Sequence, residues 1–243
     1  MTYVLVGAVG FLIGLIANDL AIQALDDSRP LRPLSGTCPR CRANRGWLRW
    51  RCPSCGRTVS RELVVALTSI AVSVVFAYTL GFGWVLLAYL GFLLLSMALV
   101  ITDLEAFRIV DRLNLRGTAV IVVVLGLASV LADDLGALWR AIGGAGLYFA
   151  GASLLFILVR GKGFGAGDVK LAVQLGVFTA YLGWSVLGWA VFATAMIGGA
   201  VALFLVVSGS AGRKTELPYG PPMILGAWTA IAMVGVGAIP VPS

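Results

Sequence analysis

The stretch WVLLAYLGFLLLSMALVIT, residues 84–102, carries no charged side chain at any position. An α-helix needs about 20 predominantly apolar residues to cross the hydrocarbon core of a bilayer. Comparable apolar runs occur at 3–25, 62–81, 115–132, 137–159, 184–207 and 221–240, with a shorter one at 169–182. We therefore predict an all-α, polytopic membrane protein with about eight transmembrane helices.

The distribution of charge predicts how these helices are oriented. The chain has 243 residues, of which 60% are hydrophobic and 12% charged, whereas soluble domains carry about 25% charged residues. Basic residues concentrate in the segments 29–61, 108–116, 160–170 and 213–214. Eight helices with the N-terminus outside place all four segments on one side, which the positive-inside rule makes the cytoplasm. The net charge of +7 is therefore expected to face anionic lipid, and nucleic acid is not an expected partner.

The polar stretch between the first two apolar runs is the one separable module. We divide the chain into a first transmembrane helix (1–25), a cytoplasmic module (26–61) and a transmembrane core (62–243). The first helix has no basic segment before it and no cleavage pattern after it, so we expect it to be retained.

The module contains all four cysteines, in the motifs CPRC (38–41) and CPSC (52–55). Two C-x2-C pairs give four thiolates the reach to bind one tetrahedral zinc ion, and a site filled by four protein ligands is structural. Two disulfides are the alternative, but they rarely persist in the reducing cytoplasm. We predict a structural zinc site with four ligands: Cys38, Cys41, Cys52 and Cys55.

The acidic residues are the remaining candidates for chemistry, because the sequence contains no histidine. That absence excludes Ser-His and Cys-His catalysis and histidine-ligated zinc. Asp103 follows the third apolar run, and Asp168, in GKGFGAGDVKL (161–171), precedes the sixth. Since the two helices run in opposite directions, both carboxylates are expected at the same membrane surface. Two carboxylates at low dielectric cannot both ionise, so one serves as base and the other as acid.

Several alternatives stay open at this point. Asp168 could cap a glycine-rich helix start that binds phosphate, and Arg108 and Arg112 could neutralise the acids of a solvated loop. An ion-coupled transporter could use Asp103, Asp168 and the intramembrane Asp19 as ion sites. A membrane anchor whose zinc module recruits a cytoplasmic partner is the third class of function.

Four motifs in order resemble those of the type IV prepilin peptidases, intramembrane aspartic proteases marked by G-x-G-D. They are DLEAFRIVD (103–111), GFGAGDVKL (163–171), the late stretch ELPYGPPMILGA (216–227) and the paired CxxC module. The resemblance covers most of the chain. The matching positions of the two aspartate motifs are Asp103, Asp111, Gly165, Gly167, Asp168 and Lys170.

The resemblance implies an endopeptidase of the bacterial inner membrane that cleaves the basic leader of prepilins or pseudopilins after a glycine, at the cytoplasmic face. Asp103 and Asp168 would be the catalytic pair. Gly165 and Gly167 would leave room for an extended substrate backbone. Lys170 would either tune the pKa of the pair or serve packing, and Asp111 is the second aspartate of its motif.

The chain also departs from the family pattern. Val110 replaces a proline, Tyr219 replaces a phenylalanine, and Gln23 stands where many members have arginine. The spacer between the CxxC pairs is shorter than in the bifunctional members, which also methylate the new N-terminus with S-adenosylmethionine. Methylation therefore stays an open alternative beside cleavage.

Overall fold

A computed structural model describes residues 1–26, 31, 38, 41, 43, 52–56, 60–160, 164–208 and 218–240. These residues form eight α-helices and none of them lies in a strand, which confirms the all-α prediction. Most of the predicted module 26–61 lies outside the described residues. The helices are α1 (Thr2–Ala24), α2 (Ser60–Leu80), α3 (Trp84–Ala106), α4 (Asp111–Leu131), α5 (Leu135–Leu158), α6 (Ala166–Leu182), α7 (Trp184–Val207) and α8 (Gly220–Gly235).

Helix α3 is the centre of the bundle. Of its most apolar 18-residue window, 72% is buried, against 17% for α5 and α7. Its aromatic side chains explain this, because Tyr89 and Phe92 pack against Phe76 of α2 and Phe178 of α6. The Tyr89 hydroxyl also donates to the Phe178 carbonyl over 2.6 Å, which satisfies a polar group that would be costly to bury alone.

The peripheral helices pair off around this centre. Helix α5 packs mainly on α6, and α7 mainly on α8, whereas α5 and α7 barely touch each other. Small residues allow the close pairings: a Cβ on Gly176 would lie 2.4 Å from the Gly144 carbonyl oxygen. Membrane helices associate through such close backbone packing, because lipid tails supply no hydrophobic driving force. The weak α5–α7 contact leaves a gap between the two pairs.

One end of the bundle is polar, and it gathers the C-termini of α1 and α3 with the N-termini of α2, α4, α6 and α8. Arg61 at the start of α2 donates to Asn18 of α1 over 3.0 Å and pairs with Glu105 of α3. Arg112 of α4 donates to the carbonyls of Ala24 and Asp26. We call this the polar end. The odd-numbered helices named here end at it and the even-numbered helices begin at it, which agrees with helices that alternate in direction along the chain.

Within the described ranges, six helices are long and apolar enough to cross a membrane, and the protein is a multi-pass membrane protein. Helices α6 and α8, of 17 and 16 residues, are shorter than the roughly 20 residues of a full span. The apolar runs predicted the helices, but α3 continues past residue 102 to Ala106. Helical hydrogen bonding continues through charged residues at a helix end, whereas an apolar run stops at the first of them.

Candidate active site

Asp103 lies in the last turn of α3, at the polar end, and is buried. The helix closes at Phe107, whose left-handed backbone (φ 51°) lets its amide donate to the Asp103 carbonyl over 2.9 Å. The Asp103 side chain accepts a second bond at Oδ2, from the backbone N–H of Gly220 over 3.1 Å. Gly220 is the first residue of α8, so this bond ties the end of α3 to the start of α8.

Asp168 lies in the first turn of α6, three residues after the N-cap residue Gly165. Its Oδ2 accepts the Gly165 backbone N–H over 2.8 Å. This is the reciprocal half of a capping box, in which an acidic residue at the third position binds the N-cap amide. The alternative of Asp168 as the N-cap itself is therefore wrong: Gly165 occupies that position.

Both aspartates line one cavity of about 280 Å³. Asp103 is 5% exposed and Asp168 6%, and the two carboxylates are close enough to interact electrostatically. The structure thus brings the two predicted residues together across the α3–α6 interface. Two buried acids that line one small cavity can differ in protonation, and general acid–base chemistry needs one group of each kind.

Three glycines let backbone approach this cavity closely. A Cβ on Gly220 would lie 2.7 Å from the Asp103 Oδ2 atom, and one on Gly167 would lie 3.0 Å from the Ile109 Cβ. A Cβ on Gly165 would lie 3.3 Å from the Asp168 Oδ2 atom. Contacts within the protein thus explain why a side chain would not fit easily at these three positions. That Gly165 and Gly167 leave room for an extended substrate backbone stays a prediction.

Lys170 and Asp111 form an ion pair at the rim of the same cavity. The Lys170 Nζ lies 2.7 Å from the Asp111 Oδ2, and the side chains are 41% and 53% exposed. The pair links the second turn of α6 to the first residue of α4. Because both partners are solvated, we assign the pair a weak positioning effect on the cavity; exposed pairs contribute about 0.2–1 kcal/mol.

The four cysteines lie together, as their spacing predicted. Their Sγ atoms are all within 4.8 Å of one another, and the two nearest pairs are 3.6 Å (Cys38–Cys55) and 3.5 Å (Cys41–Cys52). None of these four described cysteines is in a disulfide, which does not support the disulfide alternative. Tetrahedral coordination at a Zn–S distance of about 2.3 Å places sulfurs roughly 3.8 Å apart, so the cluster fits a metal ion.

Other residues near the cavity carried no predicted role. Tyr219 and Gly220 belong to the late motif ELPYGPPMILGA, whose Leu217 lies outside the described residues. Nothing in the sequence indicates that the Gly220 amide donates a hydrogen bond to Asp103. Burial, and then the charge of Asp168, raise the pKa of Tyr219, so its hydroxyl stays protonated. Asp19, the third candidate acid, is buried in α1 and does not line the cavity.

Comparison with known proteins identifies a family and several relatives to which this chain is similar. The model of the type IV leader peptidase family matches residues 89–203, which include both aspartates. A prepilin leader peptidase/N-methyltransferase of Stutzerimonas stutzeri is 32% identical over 80% of this chain and 70% of its own length. That of Pseudomonas aeruginosa is 31% identical over 81% and 71%.

A protein of the same name from Aeromonas hydrophila is 31% identical over 76% of this chain, and the match covers 63% of the relative. The chain thus spans a little under two thirds of that relative's length. No solved structure matches the chain.

Proposed function

The chain belongs to the type IV leader peptidase family, and from that membership we propose that it is a membrane-embedded aspartic endopeptidase with Asp103 and Asp168 as its catalytic pair. The observation that carries the proposal is the shared cavity: two buried carboxylates from α3 and α6 line one space of about 280 Å³. The sequence offers no histidine as a base, and the cysteines lie in their own cluster.

In this mechanism, one aspartate is ionised and removes a proton from a water molecule held in the cavity. The other is protonated and donates to the carbonyl oxygen of the scissile peptide as the water attacks, and a proton then passes to the leaving amine. The Gly220 and Gly165 amides each hold one oxygen of a carboxylate. We infer that the second oxygen of each carboxylate faces the reacting atoms.

We propose a prepilin or pseudopilin as the substrate, cleaved after a glycine at the end of its basic leader. The names of the relatives support this substrate class. The polar end carries arginines of the basic segments, among them Arg61 and Arg112. We therefore propose that the protein lies in the bacterial inner membrane, with the polar end facing the cytoplasm and the N-terminus outside.

We propose zinc as the metal of the cysteine cluster, in a structural role. Cys38, Cys41, Cys52 and Cys55 would hold it, because four thiolates in tetrahedral spacing suit zinc and leave no open position for a substrate. Methylation with S-adenosylmethionine, the second activity in the relatives' names, stays a prediction for this chain. Transfer of a labelled methyl group to a cleaved pilin would test it separately.

The test of the proposed function is leader cleavage in proteoliposomes that contain the purified protein and a prepilin. Asp103→Asn and Asp168→Asn should each lower the cleavage rate by at least about 1,000-fold, since each removes one proton-transferring group. Asp19→Asn is the matched control, because Asp19 is equally buried but lies outside the cavity. It should cleave at close to the wild-type rate.

The same proteoliposomes distinguish the peptidase from an ion-coupled transporter. Under our proposal, a pH or cation gradient across the vesicles dissipates at equal rates with the wild type and with Asp168→Asn. Cleavage at wild-type rates by both aspartate variants, or ion flux that disappears with the same substitutions, would contradict the peptidase.

A further inference from the structure

An apolar groove between α5 and α7 has no role in the proposed chemistry. It has a volume of about 600 Å³, and fourteen residues line it. Its walls are the two helices that barely contact each other, so it occupies the gap between the α5–α6 and α7–α8 pairs. On α7 the groove extends from Trp184 to Ala195, about 16 Å at the helical rise of 1.5 Å per residue.

One end of the groove lies next to residues of the aspartate site, although the groove and the aspartate cavity share no lining residue. Phe164 and Tyr219 line it there and contact each other edge to face, with ring centroids 5.3 Å apart. Each ring precedes a glycine whose amide binds a catalytic carboxylate: Phe164 precedes Gly165, and Tyr219 precedes Gly220. Tyr148 of α5 and Tyr219, both in the groove wall, are also close enough to Asp168 to interact with its charge.

The walls include small residues that leave space for a partner's backbone. If a Cβ were added to Gly151 of α5 or to Gly188 of α7, no described heavy atom beyond the neighbouring residues and nearby backbone of its own helix would lie within 4 Å of it. Ala152 and Ala195 continue the two walls. Membrane helices associate through close approach of their backbones at small residues. An acyl chain has no backbone that requires small residues in the groove wall.

We propose that this groove binds an apolar α-helix of the substrate, the membrane segment that follows the leader in a prepilin or pseudopilin. The inference rests on the proposed function and adds the place where the substrate is held. A helix seated along the groove has one end at the Phe164–Tyr219 contact. The peptide bond just beyond that end therefore lies at the two carboxylates, while the leader extends toward the polar end.

The two open glycines allow the groove to be filled without disturbing the fold. In proteoliposomes, Gly151→Leu and Gly188→Leu should each raise the KM for full-length prepilin about tenfold, with kcat changed little, because the new side chain occupies the substrate's space. The matched controls are Gly146→Leu and Gly199→Leu, on the same two helices, equally open and outside the groove. They should keep the wild-type KM.

Cross-linking tests the same groove without requiring cleavage. In an Asp168→Asn background, Gly151→Cys and Gly188→Cys should form a disulfide with a single cysteine in the apolar helix of the prepilin. Gly146→Cys and Gly199→Cys should not. The native cysteines are clustered with one another, which leaves the introduced thiol as the reactive one.

The outcomes separate the two proposals. Equal KM values for all four leucine variants, or cross-links as strong at the control positions, would overturn the groove as the substrate site; a groove occupied only by lipid would give the first result. A wild-type protein that cleaves no prepilin would contradict the proposed function alone, because the cross-links report on the groove independently.

Discussion

The aspartate cavity and the cysteine cluster bring reactive side chains together in opposite ways. The four cysteines come from two CxxC motifs of one segment, and their Sγ atoms lie within 4.8 Å of one another. Asp103 and Asp168 come from two helices, and their carboxylates are held by amides that belong to a third helix and to a loop residue. The cluster comes from one segment, whereas the cavity is lined by residues of α3, α4 and α6 and exists only when these helices are packed.

This difference indicates where each region is vulnerable. A closed set of four thiolates contributes folding energy when metal binds, so its loss should lower stability. The proposed activity depends on the positions of two carboxylates to within a fraction of an ångström. A small displacement of either one should therefore lower activity in a protein that remains folded. Substitutions can therefore separate the two regions by what each one changes.

Among the variants that replace no ionisable residue and no cysteine, Gly220→Ala should have the largest effect on activity. The added methyl would lie 2.7 Å from the Asp103 Oδ2 atom, so the carboxylate has to shift. A displacement of about 1 Å costs roughly 100-fold in rate, and we expect a loss of that order in kcat, with zinc content unchanged. Gly126→Ala in α4 is the control, since no described atom lies within 4 Å of its added methyl. Equal rates for both variants would show that the Gly220–Asp103 contact does not position the carboxylate.

Cys38→Ser should have a smaller effect on cleavage and a large one on stability. We expect bound zinc to fall below about a tenth of the wild-type content and the midpoint of thermal unfolding to decrease, because one of four ligands is lost. Cleavage measured well below that midpoint should stay within about tenfold of wild type, since the metal is not part of the cavity. Ser54→Ala, exposed in the same CPSC turn, is the control. Loss of cleavage in folded Cys38→Ser would contradict the separation of the two regions.

Lys170→Met should have the smallest effect. It breaks an ion pair whose partners are 41% and 53% exposed, and such pairs contribute about 0.2–1 kcal/mol, so the rate should change by no more than about fivefold. Asp111→Asn should change it equally, and the double variant no further. If Lys170→Met lowered the rate far more than Asp111→Asn, Lys170 would act on the carboxylates directly.

The sequence predicted most of the fold because apolar run length is a local property. It also predicted the cysteine cluster, since C-x2-C spacing determines where the sulfurs point. The pairing of Asp103 with Asp168 followed from helix direction and from the family motifs. The apolar run 169–182 already predicted a short α6, but the run 221–240 predicted a longer α8 than the observed Gly220–Gly235, because apolar length alone does not mark where a helix ends.

The parts that the sequence did not predict depend on backbone groups and on packing. The amides of Gly220 and Gly165 hold the carboxylates, but every residue except proline has an amide, so neither glycine is marked as a donor. Tyr148 reaches the groove from the middle of α5, in a run where nothing distinguishes it from a lipid-facing residue. Such contacts follow only from the crossing positions of the helices.

The central claim is that the two carboxylates act as one catalytic unit, and a comparison of single and double variants tests it most directly. The rates of prepilin cleavage by Asp103→Asn, Asp168→Asn and the double variant would be measured in long incubations with equal zinc content. Residues that work as a unit show non-additive losses, so we expect the double variant to lie within about threefold of either single variant. A double variant slower by the product of the two single losses, or a single variant at the wild-type rate, would contradict the claim.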